Sequence, residues 1–319
     1  MEKWPDLSPG MVREASERIR PLARHTPAFS STSVNHAAGV EAHFKCENLQ
    51  RGGAFKIRGA SNLILSIPRE ELRRGVVAFS SGNHAQAVAI VAHHVGAKAT
   101  IVMPADAPRT KVEATRNHGA EIISYDRFRE SREAIAEKIL KETGATLVPP
   151  FDHPLTMAGQ GTAALELLEA VPQLDALIAP VGGGGLLAGC ATIAKALHPD
   201  IRVFGAEPER ANDTYLSFQA GHRVEIPLPD TIADGLRSQQ PGKLTFPIIE
   251  RLVEKVLLVT EDEIRATVKF LLMRMKLLVE PSGAVGAAAV LHRKLPEGIR
   301  SIGVILSGGN VDFEDLARY

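Results

Sequence analysis

The chain has 319 residues, 45% hydrophobic and 23% charged, enough for one or two globular domains with a substantial core. Its 37 basic and 37 acidic residues cancel, so the basic excess expected of a nucleic-acid partner is missing. Two cysteines, Cys46 and Cys190, stand without a CxxC or His-spaced companion, which points to a reducing cytoplasm and no structural disulfide.

The opening MEKWPDLSPGMVREA is polar and lacks the apolar run of a secretory signal. Downstream, apolar β-branched runs alternate with helical patterns. VVAF (76–79) reads as a strand, then come helix 84–96, strand ATIVMP (99–104) and helix 111–119. Strand EIISY (121–125) and a charged helix over 128–144 follow. PPFDHP (149–154) is the expected crossing point into a second series: helix 157–171, strand 175–181, helix 186–198 and strand 201–207. Helices over 261–276 and 283–295 and a strand within 301–310 complete the alternation. Such a βαβ series predicts an α/β fold with parallel sheets covered by helices. Ala176 to Ala194 is uncharged, yet Pro180 and four glycines in its middle would break a membrane-spanning helix.

Lys56 stands in GGAFKIRGA (52–60), hemmed in by glycine and phenylalanine. Desolvation lowers a lysine's pKa, and the neutral amine is the nucleophile that forms a Schiff base with an aldehyde. The cofactor this calls for is pyridoxal 5′-phosphate, against the alternative of a lysine that snorkels to solvent. Gly182–Gly185 end an apolar strand and open a helix, so bare N–H groups can face a phosphate. Gly183, Gly185 and Ala188 also fit G-x-G-x-x-A, with Glu207 near the place of a ribose-binding acid, so a nicotinamide dinucleotide competes on local evidence.

In SGNHAQ (81–86), Ser81, Asn83 and His84 surround a helix start, where a substrate carboxylate is welcome. The plainer reading makes Ser81 an N-cap and His84 a solvated surface residue. Ser307 in SGGN (307–310) offers a neutral hydroxyl that would leave a pyridine nitrogen unprotonated and favour β-elimination. Glu207, Ala211 and Asp213 offer two carboxylates and a carbonyl in one loop, suited to Mg²⁺ or Ca²⁺, or else form a solvated acidic loop. His93 and His94 are adjacent and form no metal set, and GxSxG is absent.

Together these residues resemble the fold-type II pyridoxal-phosphate enzymes, specifically the threonine dehydratase/serine racemase family. The resemblance runs from KCENLQRGGAFKIRGA through SSGNHAQA, FDHPLTMAGQGT, PVGGGGLLAG and TIADGLR to VEPSGA and LSGGN. It implies a large cofactor-binding domain (1–52 and 150–319) and a small substrate-binding domain (53–149). Lys56 would form the internal aldimine and Phe55 pack on the ring. Asn83 would contact the ring hydroxyl, Gly182, Gly183, Gly184, Gly185 and Leu186 cradle the phosphate, and Ser307 face the pyridine nitrogen. Ser81 would lie on the ring face opposite Lys56. Ser80, Ser81, Gly82, Asn83, His84 and Arg132 would bind substrate. Glu207, Ala211 and Asp213 would hold a divalent cation (Mg²⁺, Ca²⁺ or Mn²⁺), and Gly235 and Glu280 fall at family-like positions. GGAFK departs from the commoner SFK form by an alanine for serine.

The implied activity is a cytoplasmic, homodimeric L-threonine/L-serine ammonia-lyase of the short catabolic type. Lys56 would take the Cα proton, and a proton returned by Ser81 would instead racemise the substrate. Serine racemase and a dehydratase of 3-hydroxyaspartate or another β-hydroxy amino acid are the alternatives. His153 or an arginine could admit a second carboxylate. A dinucleotide oxidoreductase survives only if Lys56 is inert, and Lys56 with Ser81 argues against a non-catalytic carrier of the cofactor.

Overall fold

The computed structural model describes residues 6–80, 82–107, 109–126, 128–317 and 319. Its strands are β1 (Ala28–Ser30), β2 (Glu41–Cys46), β3 (Val76–Phe79), β4 (Ala99–Pro104), β5 (Glu121–Tyr125), β6 (Thr146–Leu147), β7 (Ala176–Pro180), β8 (Arg202–Pro208), β9 (Lys255–Val259) and β10 (Ser301–Leu306). They form a six-stranded sheet ordered β1-β2-β10-β7-β8-β9 and a four-stranded sheet ordered β5-β4-β3-β6. Every pairing is parallel except β1 with β2. This is the α/β architecture the alternation predicts.

The parallel strands β3, β4, β7, β8 and β10 are buried along nearly all their length because helices cover both faces. In the larger sheet Leu177, Ala179, Val203 and Ile305 face the helices Pro154–Ala170 and Gly185–Leu197. Ile178, Phe204, Leu257 and Val304 point the other way, against the helices Glu261–Phe270 and Pro281–Leu291. The period of two along each strand produces this split.

Several boundaries differ from the sequence expectations for local reasons. The charged helix begins at Arg132, not 128, because Ser131 caps it by accepting from the Ala134 N–H at 3.2 Å. The helix expected over 261–276 ends at Phe270, passes into a π turn over Leu271–Met275, and stops at Lys276 with φ +60°. His153 starts the helix Pro154–Ala170 by accepting from the Leu155 N–H through Nδ1 at 3.1 Å.

The helix Lys56–Ser66 packs with the four-stranded sheet through Ile57, Ala60, Leu63 and Ile64. Its Arg58 reaches across to the larger sheet. This guanidinium is fully buried and bonds Glu47 (2.7 and 2.8 Å), Glu166 (2.6 and 2.7 Å) and Thr162 (3.0 Å). Lys45 on β2 completes the cluster at 2.6 Å from Glu166. Two cations thus balance two carboxylates in a place where any one alone would be costly. Among the described residues no helix is long and apolar enough to cross a membrane.

Candidate active site

Open α/β sheets bind ligands beyond the carboxyl ends of their strands, and the singled-out segments lie there. The tetraglycine follows β7, Ser307 follows β10, and Ser80, Gly82 and Asn83 follow β3. Ala54 bridges to Gly308, and the Phe55 N–H donates to the Ser307 carbonyl at 3.0 Å, which sets Lys56 beside the end of β10.

Lys56 is half-buried at the first turn of its helix, and its Nζ donates to the Pro150 carbonyl at 2.9 Å. The ammonium also lies 5.0 Å from the centroid of the Phe55 ring. Burial lowers its pKa from 10.5 to about 8, because the charged form is desolvated and no carboxylate compensates. A minority of the amine, roughly a tenth to a fifth, is therefore already neutral near physiological pH, against almost none for an unperturbed lysine.

The tetraglycine is shaped for a small anion. Gly184 has φ +92°, which only glycine adopts without strain, and Gly185 opens the helix Gly185–Leu197 with no side-chain cap. A Cβ on Gly183 would come within 2.3 Å of the Phe151 ring, and one on Gly185 within 2.5 Å of Gln160 Oε1. The Gly183 carbonyl is held from behind by Thr245 Oγ1 at 2.7 Å and the Gly242 N–H at 3.2 Å. Leu186 is buried, and Gly235 flanks Gly182, its own N–H bonded to Ser282 Oγ at 2.9 Å. This N-terminal turn can hold a phosphate. Ser307 is buried, with its hydroxyl unengaged among the described residues.

Ser80 Oγ accepts from the Gly82 N–H at 3.2 Å, and Gly82 is the residue that precedes the helix Asn83–Val95. Ser81 lies outside the described residues. Asn83 is held at both ends of its amide. Nδ2 donates to Glu280 Oε1 at 2.7 Å, and Oδ1 accepts from Asn310 Nδ2 at 2.9 Å. His84 overturns the solvated-surface reading: it is buried, with Nε2 2.8 Å from the Val148 carbonyl. Burial and the nearby Lys56 push its pKa down to about 3, so the ring is neutral.

His153 is spoken for as a helix cap, and burial lowers it to about 4, so it supplies no cation for a second carboxylate. Arg132 is half-exposed. Its guanidinium stacks 5.1 Å from the Phe79 ring at the end of β3 and its Nε donates to Glu133 at 2.8 Å.

The acidic loop is not solvated. Glu207, Ala211 and Asp213 are all buried. Glu207 accepts from the Thr214 and Tyr215 N–H groups at 3.2 and 2.8 Å, while neither Asp213 oxygen has a partner among the described residues. Burial and the neighbouring Asp213 charge raise Glu207 well above the carboxylate range, and burial raises Asp213 to about 8. Two buried carboxylates, with both Asp213 oxygens orphaned, fit a hard divalent cation, with the Ala211 carbonyl as a neutral ligand.

Residues 19–308 match the family model for pyridoxal-phosphate dependent enzymes. The chain belongs to that family. An L-threo-3-hydroxyaspartate ammonia-lyase of Saccharomyces cerevisiae is 48% identical over 97% of this chain and 94% of its own length. An L-threonine ammonia-lyase of Geobacter sulfurreducens is 45% identical over 96% of this chain and 76% of its own. The structure of maize serine racemase superposes with a TM-score of 0.95 at 44% identity, covering 98% of this chain and 97% of that one. The chain is thus a pyridoxal-phosphate enzyme of the branch that joins β-hydroxy amino acid ammonia-lyases with racemases, and the dinucleotide reading of the tetraglycine falls.

Proposed function

We propose that this enzyme is an L-serine/L-threonine ammonia-lyase with its cofactor joined to Lys56. The observation that carries the reading is the Lys56 amine docked on the Pro150 carbonyl, one residue from Phe151, which packs against the glycine turn built for phosphate. Bound pyridoxal phosphate supplies an electron sink for charge developing at the substrate Cα. Lys56, once the substrate amine has displaced it, would take the Cα proton. Gly182–Gly185 and Leu186 would hold the phosphate, Phe55 would flank the ring, and Ser307 would offer its nitrogen a neutral hydroxyl. Asn83, fixed by Glu280 and Asn310, has one N–H left to donate to the ring oxygen. The Ser80–His84 turn receives the substrate carboxylate at a helix N-terminus. Water leaves in the elimination and returns in hydrolysis, so L-serine gives pyruvate and ammonia. Glu207, Ala211 and Asp213 hold a structural Mg²⁺ or similar ion. A proton delivered by Ser81 to the opposite face would release D-serine.

Arg132 favours a second reading, 3-hydroxyaspartate as substrate, because its half-exposed guanidinium lies over Phe79 at the end of β3, next to Ser80, and could receive a second carboxylate. The test is 2-oxo acid and ammonia release from L-serine, L-threonine and L-threo-3-hydroxyaspartate, with D-serine measured in parallel. Turnover of L-serine or L-threonine, abolished in Lys56→Ala together with the cofactor's visible band, is the expected result. Turnover of hydroxyaspartate alone, lost in Arg132→Ala, would replace the first reading by the second. A visible band that persists in Lys56→Ala would refute the assignment of Lys56.

A further inference from the structure

Gln160 lies between the two halves of the site and is fully buried. Its backbone is pinned on both sides. A Cβ on Gly159 would come within 2.4 Å of the Arg58 carbonyl, on the helix that carries Lys56. A Cβ on Gly161 would come within 2.6 Å of the Gly189 carbonyl, on the helix that the tetraglycine opens. The side chain continues the connection. Gln160 Nε2 donates to the Pro150 carbonyl at 3.0 Å, the same oxygen that Lys56 Nζ reaches at 2.9 Å. Gln160 Oε1 finds no donor among the described residues and is turned to Gly185.

We infer that Gln160 is a positioning residue for the catalytic amine. Its amide holds the Pro150 carbonyl where Lys56 docks whenever the lysine is not joined to the cofactor, and it fixes that dock relative to the phosphate turn. The inference rests on Lys56 being the cofactor-bearing amine. The carbonyl has two lone pairs, so both donors are accommodated. Reversing the amide would set Oε1 against the Pro150 oxygen, so the orientation is dictated. The donor end of the amide dipole then faces the amine's acceptor and disfavours extra positive charge there, in line with a lysine lowered to about 8.

Two full-length variants test this. Gln160→Met keeps the length and removes both polar atoms. Gln160→Glu keeps the shape but, once ionised, loses the donor and offers the ammonium a carboxylate. Cofactor-stripped protein is mixed with pyridoxal phosphate, and growth of the visible band is followed at pH values on either side of 8. Wild-type rates should rise through a midpoint near the lysine pKa. Gln160→Met should be slower by about fivefold, the worth of one neutral hydrogen bond. Gln160→Glu should shift the midpoint upward by about one unit or more, through the added charge. Where circular dichroism shows the Met variant unfolded, the near-isosteric Glu variant decides alone. Wild-type midpoints and rates in the folded variants would overturn the inference. A Lys56→Ala chain that still develops the band would instead overturn the assignment beneath it.

Discussion

Replacing Lys56 by methionine should stabilise the cofactor-free chain while abolishing its chemistry. Burial lowers the lysine from 10.5 to about 8. Below that lower value both the folded and the unfolded chain bind the proton, and the full cost of desolvating the ammonium is present. Between the two values only the unfolded chain holds the proton, so stability climbs with pH, and above 10.5 the cost is gone. A difference of about 2.5 units at about 1.4 kcal/mol each sets a ceiling near 3.5 kcal/mol, and partial solvent contact reduces it to about 2 kcal/mol. Methionine matches the apolar stem, and the Pro150 carbonyl keeps its bond from Gln160, so no buried acceptor is orphaned. Urea unfolding of the stripped proteins should therefore show a higher midpoint at unchanged slope for Lys56→Met near neutral pH. The advantage should shrink as the pH approaches 10.5. A variant no more stable than wild type near neutrality, or an advantage independent of pH, would refute the claim that the site holds its amine at a desolvation cost.

Three further outcomes follow from the same geometry. Arg58→Met leaves Glu47 and Glu166 facing Lys45 alone in the interior and should cost about 3–5 kcal/mol in urea unfolding; a loss below about 1 kcal/mol would mean the cluster is solvated. Gly183→Ala drives a methyl group into the Phe151 ring and should weaken pyridoxal phosphate binding by at least about tenfold in equilibrium dialysis, roughly 1.4 kcal/mol. Chelator-treated protein should gain about 2.7 kcal/mol of stability, read as a higher melting temperature, when Mg²⁺, Mn²⁺ or Ca²⁺ is returned at a hundredfold excess over Kd. Asp213→Asn should erase that gain, and an equal gain in the variant would place the ion elsewhere.

The strands β3 and β4 stand where the apolar runs put them, because parallel strands covered on both faces are written as unbroken hydrophobic stretches, and the edge strand β5 was legible from Ile122 and Ile123 alone. β1, β2 and β9 escaped notice. β1 is a three-residue edge, and in KCENLQ the polar residues serve the buried ion cluster, which masks the strand before them. That cluster joins Arg58 to Glu166, 108 positions apart, a distance over which no local pattern carries information. His84 and the Glu207–Asp213 pair were open to a solvated reading for a related cause. A polar residue in a loop looks exposed until the fold supplies the carbonyl or the facing carboxylate that buries it.

The segment from Val148 to Asp152 shows how a site can be assembled with little polar side-chain signature. The Val148 carbonyl receives His84, the Pro149 carbonyl receives Thr156, and the Pro150 carbonyl receives both Lys56 and Gln160. Phe151 lies against Gly183 and Gly185, and Asp152 accepts from the Lys243 and Leu244 N–H groups beside the loop that backs the tetraglycine. The paired prolines explain why these carbonyls are free for side chains. Proline has no N–H to extend the ladder begun by β6, so pairing stops at the Val148 N–H to Val77 carbonyl bond. The acceptors beyond it then turn to the side chains around them. Because amine, phosphate turn and carboxylate turn all anchor on five consecutive residues, a change in the backbone here should disturb cofactor attachment and substrate binding together, whereas Arg132→Ala, which touches none of these anchors, should alter substrate choice alone.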